Sequence, residues 1–201
     1  MARTLEEIKQ DNELTTEVLK LFPRQGQWTE ADYFRLPETN KIIELSEGRI
    51  IITPSPTSQH QRILGKLYRL FGNYIFAKKL GEAVMSPIDT RLWEGKVRQP
   101  DIVFMSNEHL DRITEEMWGV PDLVVEILSE GTAKTDREDK YLEYQKAGVL
   151  EYWIVDPFKQ AIDIYTLEDG TYIIFGKYKI GETAKSKLLI GFEVPVSAVL
   201  G

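Results

Sequence analysis

Apolar residues recur at helical spacing in two long segments of the chain. The stronger segment covers residues 58–80, where apolar side chains form one stripe and Gly81 follows as a candidate helix cap. The second covers residues 133–147 and is followed by Gly148, a residue type common at helix C-termini. Residues 4–21 show the same spacing more weakly and are mostly polar, which predicts a peripheral helix or a frayed arm.

Shorter apolar segments predict the strands of a sheet. Those next to the two helices lie at 82–92, 101–105, 123–128 and 151–155. Residues 106–120 predict a loop with a short helical turn. From residue 58 to 155 the order is therefore α-β-β-β-α-β, which indicates a mixed sheet with helices packed on its faces.

Turn signals predict two hairpins outside this core. One pairs 41–45 with 49–53 around Ser46-Glu47-Gly48, and the other pairs 161–167 with 172–178 around Asp169-Gly170. We expect both hairpins to extend the same sheet, which gives an α+β (α/β) fold. The tail from Leu188 onward predicts one more short strand and a hydrophobic closing segment.

The N-terminal boundary of the domain is marked by a capping signal. Thr29 and Asp32 predict a capping box that opens a short helix, which stops at Pro37. We expect a helical arm over residues 1–28 and a single domain over residues 29–201.

Composition excludes several kinds of site. The 201-residue chain has no cysteine, so it holds no disulfide, zinc–thiolate site, iron–sulfur cluster or cysteine nucleophile. It has only two histidines, His60 and His109, which excludes a multi-histidine metal cage. No apolar run reaches the roughly 18 residues of a membrane span, and the N-terminus has no apolar signal core. We therefore expect a cytoplasmic protein without a membrane partner.

The net charge of −7 argues against a surface coated with basic residues for gripping nucleic acid. A local basic patch is still present, because Arg62, Lys66 and Arg69 share one face of the first predicted long helix. That face is either a phosphate contact or a solvated helix surface.

Two carboxylates occupy positions that ordinary strands do not favour. Glu126 lies inside the apolar run Leu123-Val-Val-Glu-Ile-Leu128, where burial of a charge is costly without a cation or several donors. Asp101 opens another apolar strand, directly after Pro100. If the strands are neighbours, the carboxylates converge, and their hard oxygens favour Mg²⁺ or Mn²⁺. The alternatives are a buried salt bridge or a solvated strand end for Glu126, and a turn or cap for Asp101.

The second predicted long helix carries a candidate cation. Asp136, Lys140 and Tyr144 are spaced four residues apart on one helix face, and this helix follows the Glu126 strand. That face is able to bring the Lys140 ammonium beside the carboxylates. The alternative is an exposed lysine paired with Asp136, and Lys134 is a weaker candidate close to the preceding turn.

Four motifs together resemble one known family. They are Gln99-Pro100-Asp101, Pro121-Asp-Leu-Val-Val-Glu126-Ile-Leu-Ser, Asp136-Arg-Glu-Asp-Lys140 and Ala147-Gly-Val-Leu-Glu-Tyr-Trp-Ile-Val-Asp-Pro157. From about Thr29 to the C-terminus the chain is similar to the Uma2 family, a group of endonucleases in the PD-(D/E)XK superfamily. The resemblance includes Ile43-Glu44-Leu45-Ser-Glu-Gly48 and Ser58-Gln-His60-Gln61. It implies a restriction-endonuclease-like core, with the α-β-β-β-α-β order derived above.

The resemblance also implies roles for individual residues. Asp101 matches the aspartate of the Pro-Asp element, and Glu126 matches the acidic member of the (D/E)XK element. The lysine of that element is absent, because Leu128 stands at its position, and Lys140 matches a lysine that has moved to the following helix. Glu44 matches a further acidic position of the family, which makes it a candidate catalytic residue. His60 shares a helix face with Leu64 and Leu67, which favours a packed histidine over a functional one.

The implied activity is Mg²⁺- or Mn²⁺-dependent hydrolysis of DNA phosphodiester bonds. Asp101 and Glu126, with the Ile127 carbonyl, are expected to hold the metal, and Lys140 to orient water and stabilise developing charge. The enzyme class further suggests a homodimer built through the C-terminal sheet. The alternative is a nuclease-like fold that no longer cuts and serves as a binding or assembly module. The leucine at position 128 and the acidic composition favour that alternative.

Overall fold

A computed structural model describes residues 22–37 and 41–201 of the chain. Residues 1–21 of the predicted helical arm lie outside the described residues, and residues 22–28 form turns and irregular structure rather than the expected helix. Within the described part, no helix is long and apolar enough to span a membrane.

Eight regular elements form the first half of the described chain. They are α1 (Glu30–Tyr33), β1 (Ile42–Ser46), β2 (Arg49–Thr53), α2 (Ser58–Lys78), β3 (Gly81–Met85), β4 (Thr90–Trp93), β5 (Lys96–Arg98) and β6 (Ile102–Ser106). A 3₁₀ helix over Asn107–Arg112 follows, which confirms the short helical turn predicted within residues 106–120.

The second half contains six further strands and three helices. They are β7 (Leu123–Ile127), α3 (Ala133–Arg137), α4 (Asp139–Ala147), β8 (Glu151–Asp156), β9 (Ala161–Glu168), β10 (Thr171–Lys179), β11 (Thr183–Lys185), β12 (Glu193–Pro195) and α5 (Val196–Leu200).

The main sheet has six strands in the order β10-β9-β8-β7-β6-β3. Only β7 and β8 pair in parallel, and the helices α3 and α4 form the crossover between them. Taken in chain order, α2, β3, β6, β7, α3 with α4, and β8 follow the predicted α-β-β-β-α-β pattern. The α+β fold class is thereby confirmed.

The N-terminal hairpin does not extend this sheet, contrary to the sequence-based expectation. Strands β1 and β2 instead join β5 and β4 in a separate four-stranded sheet ordered β2-β1-β5-β4. The strand predicted over 82–92 is divided between the two sheets: β3 belongs to the main sheet, whereas β4 pairs with β5 in the four-stranded sheet. The turn between β4 and β5 contains Gly95, whose φ of 79° suits a tight turn. The C-terminal hairpin β9–β10 does extend the main sheet, as predicted.

Several local predictions hold, and three need adjustment. Thr29 and Asp32 form the capping box, and Asp169 and Gly170 both adopt positive φ in the β9–β10 turn. The first short helix ends at Tyr33 rather than at Pro37. Lys79, not Gly81, is the left-handed cap of α2.

The predicted helix over 133–147 is the third adjustment, because it is interrupted at Glu138 and forms α3 and α4. Gly148 closes α4 in the left-handed conformation, as predicted. The interruption leaves Lys140 in the first turn of α4 and Asp136 in α3. Both side chains are nevertheless buried.

The central strands β6, β7 and β8 of the main sheet are buried on both faces, so each of their residues packs into one of two cores. Val103 and Val124 belong to the core on the α4 side, whereas Phe104 and Val125 belong to the core beneath α2. Because successive side chains alternate, Asp101 lies on the side of Val103, and Glu126 lies on the side of Val124. Both carboxylates therefore lie on the face that α3 and α4 cover.

Candidate active site

The register of two central strands brings the candidate carboxylates together. Strand β6 pairs antiparallel with β7, with Ile102 opposite Val125, so Asp101, directly before β6, faces the end of β7. Asp101 Oδ2 accepts a hydrogen bond of 2.6 Å from the Ile127 backbone N–H. Asp101 and Glu126 are 7% and 4% exposed, so neither carboxylate is at a solvated strand end. The two strands are neighbours, which is the condition under which the sequence analysis expects Asp101 and Glu126 to converge.

Lys140 supplies the central positive charge of the cluster. Its Nζ donates a hydrogen bond of 2.8 Å to Glu126 Oε1. The same ammonium lies 3.2 Å from Asp136 Oδ1 and 3.5 Å from Glu44 Oε1. Lys140 is only 6% exposed, so it is not the surface lysine that an isolated Asp136–Lys140 pair would give.

The ionisation of this cluster is governed by burial and by mutual repulsion. The pKa of Glu126 lies well above its ordinary value, chiefly because the side chain is buried. The charge of Lys140 opposes this increase, whereas the charges of Asp136 and Asp101 add to it. Burial opposes the charge of Lys140, yet the surrounding carboxylates outweigh burial and raise its pKa well above the ordinary value. Burial likewise raises the pKa of Asp136. The lysine is therefore a cation, but it does not compensate all the carboxylates around it.

Tyr144 completes the environment of Glu126. Its hydroxyl donates a hydrogen bond of 2.7 Å to Glu126 Oε1, the oxygen that already accepts from Lys140. The side chain is fully buried, and burial together with the charge of Glu126 raises the pKa of Tyr144 well above its ordinary value. Tyr144 therefore acts as a neutral hydrogen-bond donor to the carboxylate.

The four-stranded sheet contributes Glu44 and a buried arginine. Arg98, 2% exposed, donates from Nη1 to Glu44 Oε2 at 2.9 Å. Its Nε and Nη2 bind the two oxygens of Glu143 in α4, each at 2.8 Å. Burial disfavours the charge of Glu44, but Lys140 and Arg98 outweigh this effect and lower its pKa. Arg98 thus links the second sheet to the helix that carries Lys140.

His60 also reaches the site, from the first turn of α2. Its Nε2 lies 3.2 Å from Asp101 Oδ2, and its side chain is 12% exposed. Burial lowers the pKa of His60, but Asp101 and the Ile127 backbone outweigh burial and raise it. The packed histidine expected from the sequence is therefore half-buried against a site carboxylate rather than within the apolar stripe of α2.

The other candidates lie outside the cluster. Leu128 is buried in the core on the α4 side and offers no charge to the site. Lys134 is 85% exposed and its Nζ is 3.9 Å from Glu138. On α2, Arg62 and Arg69 are exposed, whereas Lys66 is half-buried and donates a hydrogen bond of 2.8 Å to the Gly201 carbonyl.

The donor set suits a hard divalent cation. Within residues 22–37 and 41–201 no three histidine or acidic side chains form a preformed metal cluster. Mg²⁺, however, commonly binds through one or two carboxylates and keeps several waters. The hydrogen bonds from described residues fall on Asp101 Oδ2 and Glu126 Oε1, which leaves Asp101 Oδ1 and Glu126 Oε2 without a donor among them. Uncompensated carboxylates with unused oxygens are what such an ion requires.

The sequence interpretation did not identify the roles of Arg98 and Glu143. Their signals were weak: Arg98 lies in the three-residue strand β5, which the expected 82–92 strand did not include. Glu143 lies three residues after Lys140 and looks like an ordinary solvated helix residue. The alternation of charge at Lys96 and Arg98 around Val97 was the available clue, because it predicts two charged side chains on one face of a strand.

Comparison with known proteins agrees with this architecture. Among solved structures, the chain is similar to a "putative nuclease belonging to DUF820" from Anabaena variabilis ATCC 29413, with a TM-score of 0.71 and 20% sequence identity. The match covers 86% of this chain and 97% of that chain, and at this identity it shows the fold. No curated protein matches the chain.

The family is shown by a match over most of the chain. Residues 30–197 match the model of the Uma2 family, which carries the description "Putative restriction endonuclease". The matched range contains every residue of the acidic cluster, from Glu44 to Tyr144. The chain belongs to the Uma2 family.

Proposed function

We propose that the protein is a Mg²⁺- or Mn²⁺-dependent endonuclease that hydrolyses phosphodiester bonds in DNA. The observation that carries this proposal is the convergence of Asp101 and Glu126 at one end of two paired strands, with Lys140 beside them. The family and the shared nuclease fold support the same reaction class.

Asp101 and Glu126 are the residues that would hold the cation, with the Ile127 backbone carbonyl as a further oxygen donor. When bound, the cation would supply Lewis-acid polarisation of a phosphate and a lowered pKa for the attacking water. The chain itself provides a largely buried setting, in which electrostatic interactions are stronger than in water. It also fixes one oxygen of each carboxylate by hydrogen bonds before any ligand arrives.

Lys140 would orient the attacking water and stabilise charge that develops on the phosphate oxygens. Its ammonium is held near Glu126, Asp136 and Glu44, so its position costs little reorganisation. Glu44 serves this arrangement from the second sheet, where Arg98 fixes its other oxygen. The lysine thus fills from a helix the place that a lysine at position 128 would fill from the strand.

Contact with DNA is proposed for the exposed basic residues of α2. Arg62 and Arg69 are free to approach a phosphate backbone, and His60 at the start of the same helix lies beside Asp101. Lys66 is a weaker candidate, because it already donates to a backbone carbonyl. The expected homodimer stays a prediction; the β10 strand at the sheet edge exposes Ile173, Ile174 and Phe175.

One observation favours the alternative of a nuclease fold that does not cut. The Lys140 ammonium lies near three carboxylates and so partly neutralises the cluster without any metal. In a binding or assembly module this ammonium would permanently replace the cation. Measured cleavage decides between the two.

The primary test is cleavage of supercoiled and linear DNA with Mg²⁺ or Mn²⁺. We expect the wild type to cut, and we expect Glu126→Gln and Asp101→Asn to show no detectable cleavage, because each removes a metal-binding carboxylate. Glu130→Gln is the matched control, since Glu130 is an exposed carboxylate four residues from Glu126. Its activity should equal that of the wild type.

Folding of the two inactive variants is verified by circular dichroism in EDTA. Cleavage that survives in Glu126→Gln would contradict the proposal. Absence of cutting by the wild type on every DNA form would favour the binding module.

Replacement of Lys140 by methionine tests the lysine that has moved to the helix. We expect kcat to fall roughly 100–1000-fold, as when one charge-stabilising donor is removed. We also expect the free energy of unfolding to fall by about 3–5 kcal/mol, because buried carboxylates lose their cation. Lys134→Met, on an exposed side chain, should alter neither quantity. Equal effects of the two substitutions on kcat would reject the role of Lys140.

Substitution of the exposed arginines of α2 tests the proposed DNA interface. In the Glu126→Gln background, Arg62→Ala and Arg69→Ala should each reduce the slope of log K against log salt by about 1, since each removes one phosphate contact. Fluorescence anisotropy with a labelled duplex measures this slope. Lys177→Ala, an exposed lysine on β10, is the control. If both arginine variants keep the salt dependence of the Glu126→Gln parent, the α2 face that carries Arg62 and Arg69 does not contact DNA.

A further inference from the structure

His60 joins the site from an element that supplies none of the candidate metal ligands. It lies in the first turn of α2, whose N-terminus is fixed by a hydrogen bond from the His60 backbone N–H to the Thr57 hydroxyl. Its ring Nε2 is 3.2 Å from Asp101 Oδ2. That oxygen also accepts the hydrogen bond of 2.6 Å from the Ile127 N–H. Two groups from different elements therefore converge on one oxygen of Asp101.

Glu126 is supported in the same way. Lys140 Nζ and the Tyr144 hydroxyl both donate to Glu126 Oε1, at 2.8 and 2.7 Å. Each candidate metal ligand thus has one oxygen engaged twice by the protein, while its other oxygen accepts nothing from the described residues. Such support fixes the carboxylate plane and determines which oxygen stays available.

The environment of His60 Nδ1 indicates that the ring is placed for the contact between Nε2 and Asp101. His60 Nδ1 is buried and has no hydrogen-bond partner among the described residues. A histidine placed only for packing would be expected to satisfy both nitrogens or to leave the open one in water. Here the ring position favours Nε2 at Asp101. Nε2 carries a hydrogen in both the charged ring and the corresponding neutral tautomer, so donation does not depend on the charge.

We propose that His60 is a positioning residue for the metal site: its Nε2–H supports Asp101 Oδ2 and thereby keeps Oδ1 available to the divalent cation. This inference rests on the proposed function, because it assigns His60 a role toward the same cation. It goes beyond the ligand set, since His60 itself binds neither the metal nor the substrate. Loss of this support is therefore expected to weaken binding of the cation even when no DNA is present.

The test compares two amide replacements by isothermal titration with Mn²⁺ alone. The amide nitrogen of His60→Gln can occupy the place of Nε2, whereas the shorter side chain of His60→Asn places it near Nδ1. We expect His60→Asn to weaken Mn²⁺ binding roughly 10–100-fold, as loss of a partner to a metal ligand usually does. His60→Gln should bind Mn²⁺ with an affinity close to that of the wild type.

The chain offers a matched control in its other histidine. His109 Nδ1 lies 2.6 Å from Asp122 Oδ1 and 3.4 Å from the Ser106 hydroxyl, which makes a second histidine–aspartate pair whose partners are not site residues. His109→Asn should therefore leave the Mn²⁺ dissociation constant unchanged, whatever its effect on stability. Thermal unfolding in EDTA verifies that each variant is folded. If His60→Asn does not fold, His60→Ala takes its place in the comparison with His60→Gln.

Each outcome bears on the proposal. Mn²⁺ binding of wild-type strength in both His60 variants, or equal loss in both, would overturn the role of Nε2. Absence of Mn²⁺ binding by the wild type would overturn the proposed metal-dependent function and this inference with it. Wild-type binding that His60→Asn weakens and His60→Gln retains supports the inference, even if DNA is later found not to be the substrate.

Discussion

A single buried ammonium holds the centre of this structure together. Lys140 Nζ lies 2.8 Å from Glu126 and 3.2 Å from Asp136, and Glu44 approaches it from the second sheet at 3.5 Å. A charged group removed from water must be paired, so the elements that carry these groups are constrained to meet at this point. The constraint involves a central strand, two helices and a strand of the separate sheet.

The arrangement around Lys140 leaves the cluster electrostatically incomplete. Its ammonium is shared among carboxylates, and the pKa of Glu126 is raised by burial despite the nearby lysine. The two buried cations of strand β5 are already paired: Arg98 binds Glu44 and Glu143, and Lys96 binds Glu143 and Glu47. An additional cation would relieve this imbalance. This imbalance is the physical argument for the proposed metal site.

Much of the core was predictable because its signals are local. The apolar run around Glu126, the proline before Asp101 and the spacing of Asp136, Lys140 and Tyr144 each follow from strand or helix periodicity. The convergence of Asp101 and Glu126 was expected only if their strands were neighbours, and the strand order of the main sheet meets that condition. The separate sheet was not, because whether the β1–β2 hairpin pairs with the main sheet or with β5 depends on tertiary contacts that no local pattern encodes.

The contacts of His60 and Arg98 were hidden for a different reason. His60 shares a helix face with apolar residues, so its spacing indicates burial without indicating what lies at the helix end. Arg98 looks like a surface residue until β5 is recognised as a strand against α4. The partner of each residue is remote in sequence: Asp101 lies 41 residues after His60, and Glu143 lies 45 residues after Arg98. Side-chain pairing at that distance is a property of the assembled fold.

The most direct measurement of the central claim is a crystal structure grown with Mn²⁺ and recorded for anomalous scattering. The account predicts one strong anomalous peak within coordinating distance of Asp101 and Glu126, with Lys140 still paired to Glu126 Oε1. The peak should vanish in crystals of Glu126→Gln. Mn²⁺ found only at other positions, in crystals in which both carboxylates are ordered and accessible, would contradict the assignment of this cluster as a metal site.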